Sequence, residues 1–469
     1  MPSKLACLLN RKPTRVFENG RLNGWIRVAE AEIKIDHQSL PPLMRDRSFW
    51  GINVTQFFGA FNDNLFKQLM LLLAVQMGAA AAAGGEDQQD LATVIFSLPF
   101  VLFSGYAGYI SDRYSKRTII VCAKFAEILV MGLGMVAFAM YTRTGYVGLL
   151  VVLLLMGTQS TFFGPGKYGI LPQMLRDTDL PRANGLIMMS TFLAIIFGTA
   201  SAGALGDWLV DPQQPLEASA GNLWKASAMC VLIAVVGTCT SLLVRRVPPS
   251  KPDLRVRGAN LFVPTETVRM TWGDRRLLAA ILATCVFWMV GSLAMQTVNS
   301  VGLVQLGLNK LQTSILVATI GLGIAVGAVL AGRLSHGKAD FRIVRVGVWG
   351  ITSCLILLSI TENQGQHLLG FQGALPVLVL LGISAGMFAI PIQVFVQSRP
   401  PAEHKGRMIA VMNQANFIAI LFSGIVYGVF DELVQSMNGA RSWIFAFIAV
   451  LMLPVILFYR GEGVATDGE

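Results

Sequence analysis

The sequence predicts an all-α membrane protein, with twelve transmembrane helices arranged as two six-helix bundles. Three observations predict it. Of 469 residues, 54% are hydrophobic and only 14% are Asp, Glu, Lys or Arg, a composition too apolar for a soluble domain. Apolar segments near 50–76, 91–111, 118–140, 146–166, 183–205, 223–244, 277–298, 311–332, 342–360, 374–396, 407–430 and 442–459 reach the roughly 20 residues a bilayer core requires. They are continuous rather than alternating, which excludes a β-barrel. The segments also repeat. GYISD at 108–112 recurs as GRLSH at 332–336, an offset of 224, and FLAIIFG at 192–198 recurs as FIAILFSG at 417–424, an offset of 225. Two matches that agree on one repeat length imply a six-plus-six duplication.

The duplication divides the chain in order. Residues 1–48 form a cytoplasmic tail, 49–244 an N-terminal bundle, 245–276 a basic, Pro-rich cytoplasmic linker (RRVPPSKPDLRVRG at its start), 277–460 a C-terminal bundle and 461–469 a second cytoplasmic tail. The first tail has no apolar core ending in a small-residue cleavage site, so it is not a secretory signal. Its stretch LNGWIRVAEAEIKI is the alternative of a membrane-surface helix. With the amino terminus inside, the loops after the even-numbered segments carry 21 Lys and Arg, whereas the opposite loops carry only Arg143, Lys225, Lys310 and Arg441. Both termini are therefore expected in the cytoplasm. The formal charge of +10 follows from that topology and requires no nucleic-acid partner. Six scattered cysteines, Cys7, Cys122, Cys230, Cys239, Cys285 and Cys354, lack metal-ligand spacing and read as small packing residues. No metal or cofactor is expected.

The first segment carries the clearest functional signal. FFGAFNDNLFKQLMLLLAVQ at 57–76 places Asn62, Asp63, Asn64 and Lys67 at bilayer depth. At about 100° per residue, Asn53, Gln56, Asp63 and Lys67 fall along one side of a helix. Charges at that depth face a bundle interior or a water cavity, and Asp63 and Lys67 at i, i+4 have the spacing to pair. We read this row as the substrate or ion site, with a purely structural ion pair as the alternative.

Further along, Lys124 and Glu127 have i, i+3 spacing and read as a snorkelling lysine with a local partner. Lys167 in GPGKYG is expected on a tightly turned backbone at the cytoplasmic end of the fourth segment, where its amine meets anionic phosphate. Its alternative is ordinary positive-inside placement. Gln159, Asn413, Gln414 and Asn416 either bind a headgroup or hydrogen-bond between helices.

Gly108, Asp112, Arg113, Lys116 and Arg117 in GYISDRYSKR match the G-x-x-x-D-R-x-x-[RK]-[RK] loop of the major facilitator superfamily, which this chain resembles. An acid at such a helix end can accept hydrogen bonds from a neighbouring helix terminus or basic side chain and latch one conformation. In the second copy His336 replaces the acid. Within the superfamily, FGAFNDNLFKQ, FFGPGKYGILPQML, RANGLIMMSTFLAIIFGTASAGALGDW, GMFAIPIQVFVQS and GRMIAVMNQANF resemble the bacterial lysophospholipid transporter family, including the module fused to lysophospholipid acyltransferase. Met295 and Gln296 stand in the seventh segment, where stand-alone members tend to carry a basic residue.

The resemblance implies a major facilitator fold and an inner-membrane transporter working by alternating access on lysophospholipids. A phosphate headgroup suits a polar, partly basic cavity, while the acyl chain stays between helices and avoids the desolvation cost. The alternative is a proton-coupled transporter of a small soluble solute or drug, with Asp63 as proton carrier. An enzyme is not expected: no H-x-x-x-x-D pair occurs, since Pro42 stands five residues after His37 and Phe341 five after His336. An acylating partner would be a separate polypeptide.

Overall fold

The computed structural model describes residues 40–80, 87–211, 213–250, 252, 269, 271–334, 340–362, 365–398 and 405–458. The tail through residue 39, most of the expected linker, His336 and residues 461–469 lie outside the described residues. The first half contains α1 (Arg47–Ala80), α2 (Gln89–Arg113), α3 (Lys116–Ala139), α4 (Tyr141–Met174), α5 (Leu180–Leu209) and α6 (Trp224–Ser241). The second contains α7 (Arg275–Ser300), α8 (Lys310–Leu334), α9 (Phe341–Ser359), α10 (Gly370–Ser398), α11 (Lys405–Ser436) and α12 (Trp443–Leu451, continued by Leu453–Phe458). Among the described residues the only β pairing is one isolated bridge, Thr361 with His367.

The ten helices α2 to α11 are long and apolar enough to cross a bilayer on their own. α1, at 34 residues, fails on composition, because Asn62, Asp63, Asn64, Lys67 and Gln68 interrupt it. α12 fails on length, being broken at Met452. Aspartates start several helices in the expected way: Asp46 accepts from the Ser48 amide (2.8 Å), Asp274 from Arg276 (3.1 Å) and Leu277 (3.2 Å), and Asp340 from Arg342 (2.8 Å).

One expectation is corrected in α4. The Gly164–Lys167 stretch does not turn; α4 continues through Pro165 and Pro172 to Met174, and its non-helical residue is Gly145, at φ 58°. Bilayer helices tolerate such residues where neighbouring helices satisfy the freed backbone groups. Lys167 is thus buried on a helix, about two turns before its end.

Each half has its own apolar core, one drawn from residues between Leu65 and Cys230 and the other from Leu277 to Val455; Met295, half-buried, packs against both. Phe125, Leu129, Leu133 and Val136 form an exposed stripe at helical spacing along α3, the signature of a face meant for lipid. Within the second half α8 and α10 approach backbone to backbone. A Cβ on Gly323, Gly327 or Gly382 would strike a main-chain carbonyl of the other helix, the small-residue packing of bilayer helices.

The halves meet chiefly along α2 with α11 and α5 with α8. Gly203 on α5 and Gly428 on α11, one repeat length apart, occupy matching places. A Cβ on Gly203 would lie 2.5 Å from the Lys310 carbonyl at the start of α8, and one on Gly428 would lie 2.9 Å from Asp90 at the start of α2.

Candidate functional site

α1 packs against α5, α6, α4 and α2 of its own half and reaches α7 of the other, so its middle lies at the seam. The predicted row divides into two parts. Near the basic loops, Asn53 and Gln56 are buried, and the Gln56 amide donates to Thr191 Oγ1 on α5 (3.2 Å). At mid-membrane, Asp63, Asn64 and Lys67 are partly exposed.

Asp63 and Lys67 do not pair. Among the described residues no ion pair joins them within 4.0 Å. Asp63 Oδ2 instead accepts from Ser160 Oγ on α4 (2.8 Å), and the Lys67 ammonium lies over the Phe96 ring of α2, 5.1 Å from its centroid. The i, i+4 spacing permits a pair, but hydroxyl and aromatic partners on neighbouring helices draw the two side chains apart. Lys124, Glu127 and Lys167 are the other charges acting on Asp63. The Asn64 amide folds back onto the Ala60 carbonyl (2.7 Å).

Asn62 does not share this exposure. It is wholly buried, and its Nδ2 donates to Glu127 Oε1 on α3 (3.0 Å) and to the Cys230 carbonyl on α6 (3.0 Å). Lys124 and Glu127 form a buried ion pair, not a snorkelling lysine at the surface. Their acid-and-amine spacing at mid-helix, opposite the small Gly59, was the available signal.

Of the remaining candidates, the Gln159 amide donates to the Ala123 carbonyl of α3 (3.1 Å). Gln414 joins the halves by donating to the Val101 carbonyl of α2 (3.1 Å), beside Phe100 and Phe417, which stack at 3.8 Å. Asn416 accepts from Thr284 Oγ1 on α7 (2.9 Å), and Asn413 is exposed. Gln296 is buried and donates to the Ser292 carbonyl (3.2 Å).

A cluster that the sequence did not reveal seals the far face, opposite the basic loops. Gln68 on α1 donates to Asn299 Oδ1 on α7 (2.8 Å) and Ser314 Oγ on α8 (3.4 Å). Asn299 donates to Gln89 Oε1 on α2 (2.9 Å), and Gln89 Nε2 reaches the Gln296 carbonyl (3.2 Å), Tyr427 OH on α11 (3.4 Å) and Asp87 Oδ2 (2.9 Å). Tyr427 OH also donates to Asp87 (2.9 Å). Asp207 at the end of α5 caps α8, accepting from the Lys310 and Leu311 amides (2.9 and 2.8 Å). Asp87 lies outside the helices, and burial pushes its carboxyl above the usual carboxylate value despite hydrogen bonds from Gln89 and Tyr427.

The loop between α2 and α3 grips the end of its own half and the start of the linker. Arg117 donates to the Val244 and Leu242 carbonyls beyond α6 (2.6 and 3.2 Å), Ser115 to Val247 (2.7 Å) and Lys116 to Ser250 Oγ. Arg113 donates to Tyr109 OH (2.7 Å). A Cβ on Gly108 would meet nothing within 4 Å. Asp112, partly exposed, attracts Lys116, and among the described residues it makes no hydrogen bond.

Two duplicated helical halves around a polar row at mid-membrane, sealed at one end by bonds between the halves, define a membrane transporter rather than an enzyme. The chain belongs to the Major Facilitator Superfamily, whose profile matches residues 52–424. It is 26% identical over 406 residues to the lysophospholipid transporter LplT of Pectobacterium carotovorum subsp. carotovorum, covering 84% of this chain and 88% of that one. It is 27% identical over 401 residues to the LplT of Yersinia pestis, with the same coverage. Among solved structures, a POT family transporter in complex with 5-aminolevulinic acid shares the fold at a TM-score of 0.68 and 12% identity, over 90% of this chain and 98% of that one. A D-xylose-proton symporter does so at 0.65 and 14%, over 88% and 98%.

Proposed function

We propose that this chain moves lysophospholipids across the inner membrane by alternating access, with both termini in the cytoplasm. One observation carries the reading. A carboxylate and an ammonium, Asp63 and Lys67, stand one turn apart at the seam, partly exposed and not paired with each other. A zwitterionic phospho-headgroup complements such a pair: its amine meets Asp63, and its phosphate meets Lys67 and, nearer the basic face, Lys167. The acyl chain remains among apolar side chains, so only the headgroup needs a polar path.

With the basic loops in the cytoplasm, the sealed far face makes this conformation the inward-facing one. The loop latch of Gly108, Asp112, Arg113, Lys116 and Arg117 is then disengaged, and Asp112 finds a partner when the basic face closes. The linker joins the bundles 49–244 and 277–460 on that same face. The relatives named as lysophospholipid transporters support the cargo, and a separate acyltransferase would use what it delivers. Proteoliposome uptake of labelled lysophosphatidylethanolamine tests this. Competition by unlabelled lysophospholipid, and not by sugars or peptides, is expected; the reverse would favour a proton-coupled carrier of a soluble solute.

A further inference from the structure

The buried Lys124–Glu127 pair has no place in the route just described, yet it is among the most costly features of the molecule. Both side chains are nearly inaccessible at mid-membrane, where replacing an ion pair by apolar residues of similar size is often neutral or stabilising. Its surroundings suggest what it does. The Lys124 ammonium sits against Gly59 of α1, so closely that a Cβ there would lie 2.6 Å from Nζ, and over the Phe163 ring of α4 at 5.3 Å. Glu127 divides its carboxylate, one oxygen taking Lys124 and the other the Asn62 amide. That amide also reaches the Cys230 carbonyl of α6, while its own Oδ1 is buried without a partner. Asn62 therefore goes unsatisfied at its acceptor in order to donate twice.

We propose that Lys124, Glu127 and Asn62 form a positioning clamp that fixes the rotation of α1 about its axis and so aims the neighbouring Asp63 at Ser160 of α4. The inference rests on the reading of Asp63 as a site residue. Successive residues on a helix point about 100° apart, so a side chain held at 62 from two other helices sets the direction of 63. Thr55 lies two turns before Asn62 on the same face. It is fully buried and bonded to the Gly237 carbonyl (3.2 Å) and Thr240 (2.9 Å) of α6. Lys124 and Glu127 are thus positioning residues that touch no cargo.

The test measures both faces of α1. Thr55→Cys and Asp63→Cys are each reacted with a charged thiol reagent in the full-length reconstituted protein, and modification is read at the peptide by mass spectrometry. Each is compared with the same cysteine in the Lys124→Met/Glu127→Leu background. Removing the acceptor of the Asn62 bond is expected to raise Thr55→Cys reactivity about tenfold, as loss of one hydrogen bond to a buried charge implies, and to lower that of Asp63→Cys. Asn62→Ala, which leaves the ion pair in place, should give the same opposed pattern even if the double variant folds poorly. General loosening raises both reactivities together, and that outcome, or no change in either, overturns the clamp. The readout uses no cargo, so a wild type that moved no lysophospholipid would refute the proposed function and leave this result standing.

Discussion

Gln89→Ala should open the far face. The Gln89 side chain reaches four partners, but its bond to Asp87 lies within one half and does not resist separation of the halves. Of the others, Oε1 accepts from Asn299, and Nε2, with two hydrogens, serves Asp87 and one of the Gln296 carbonyl and Tyr427 OH at a time. About two bonds between the halves are therefore lost. At roughly 1 kcal/mol net each, the closed arrangement weakens by about 2 kcal/mol, or about 30-fold in population. Ser314, buried on α8 where it faces Gln68 and Gly203 of the first half, supplies the reporter: Ser314→Cys should react with an externally added thiol reagent about 30-fold faster once Gln89 is Ala. A rate within about twofold of the parent would show that these bonds do not hold the gate.

Three further outcomes are expected. Burial raises the Asp87 carboxyl above its ordinary value of 3.8, so its contribution to the closed gate is complete below that pH and is lost as the pH climbs through the raised value; Ser314→Cys reactivity, taken relative to the same cysteine with Asp87→Asn, should rise with pH, and a flat ratio would exclude Asp87 as the titrating group. Gly327→Ala drives a methyl into the Ile383 carbonyl and should cost about 1–3 kcal/mol, seen as a lower melting temperature in detergent; an unchanged value would mean that α8 and α10 separate freely. Lys167→Gln should reduce lysophospholipid uptake more than Lys116→Gln, because Lys116 holds Ser250 while Lys167 is assigned the phosphate; equal losses would return both to setting topology.

The helices and their duplication were legible because burial in lipid demands long apolar runs and the two halves kept one spacing. The unusual middle of α1 was legible for the converse reason, since charge at that depth is costly without a purpose. Choice of partner was not legible. Spacing allowed Asp63 to meet Lys67, yet Ser160 and Phe96, on helices 97 and 29 residues away in sequence, hold them instead. Gly164 and Pro165 signal a turn in water, whereas within packed bilayer helices α4 continues through them. The far gate escaped notice because Gln68, Gln89, Asn299 and Tyr427 are single polar residues in four different helices, brought together only by equal membrane depth.

The most direct test is uptake of labelled lysophosphatidylethanolamine by proteoliposomes carrying the wild type or Asp63→Asn, with the orientation of the inserted protein determined. The account predicts saturable uptake by the wild type and near-complete loss in Asp63→Asn at equal insertion and melting temperature. Wild-type rates in Asp63→Asn would contradict it.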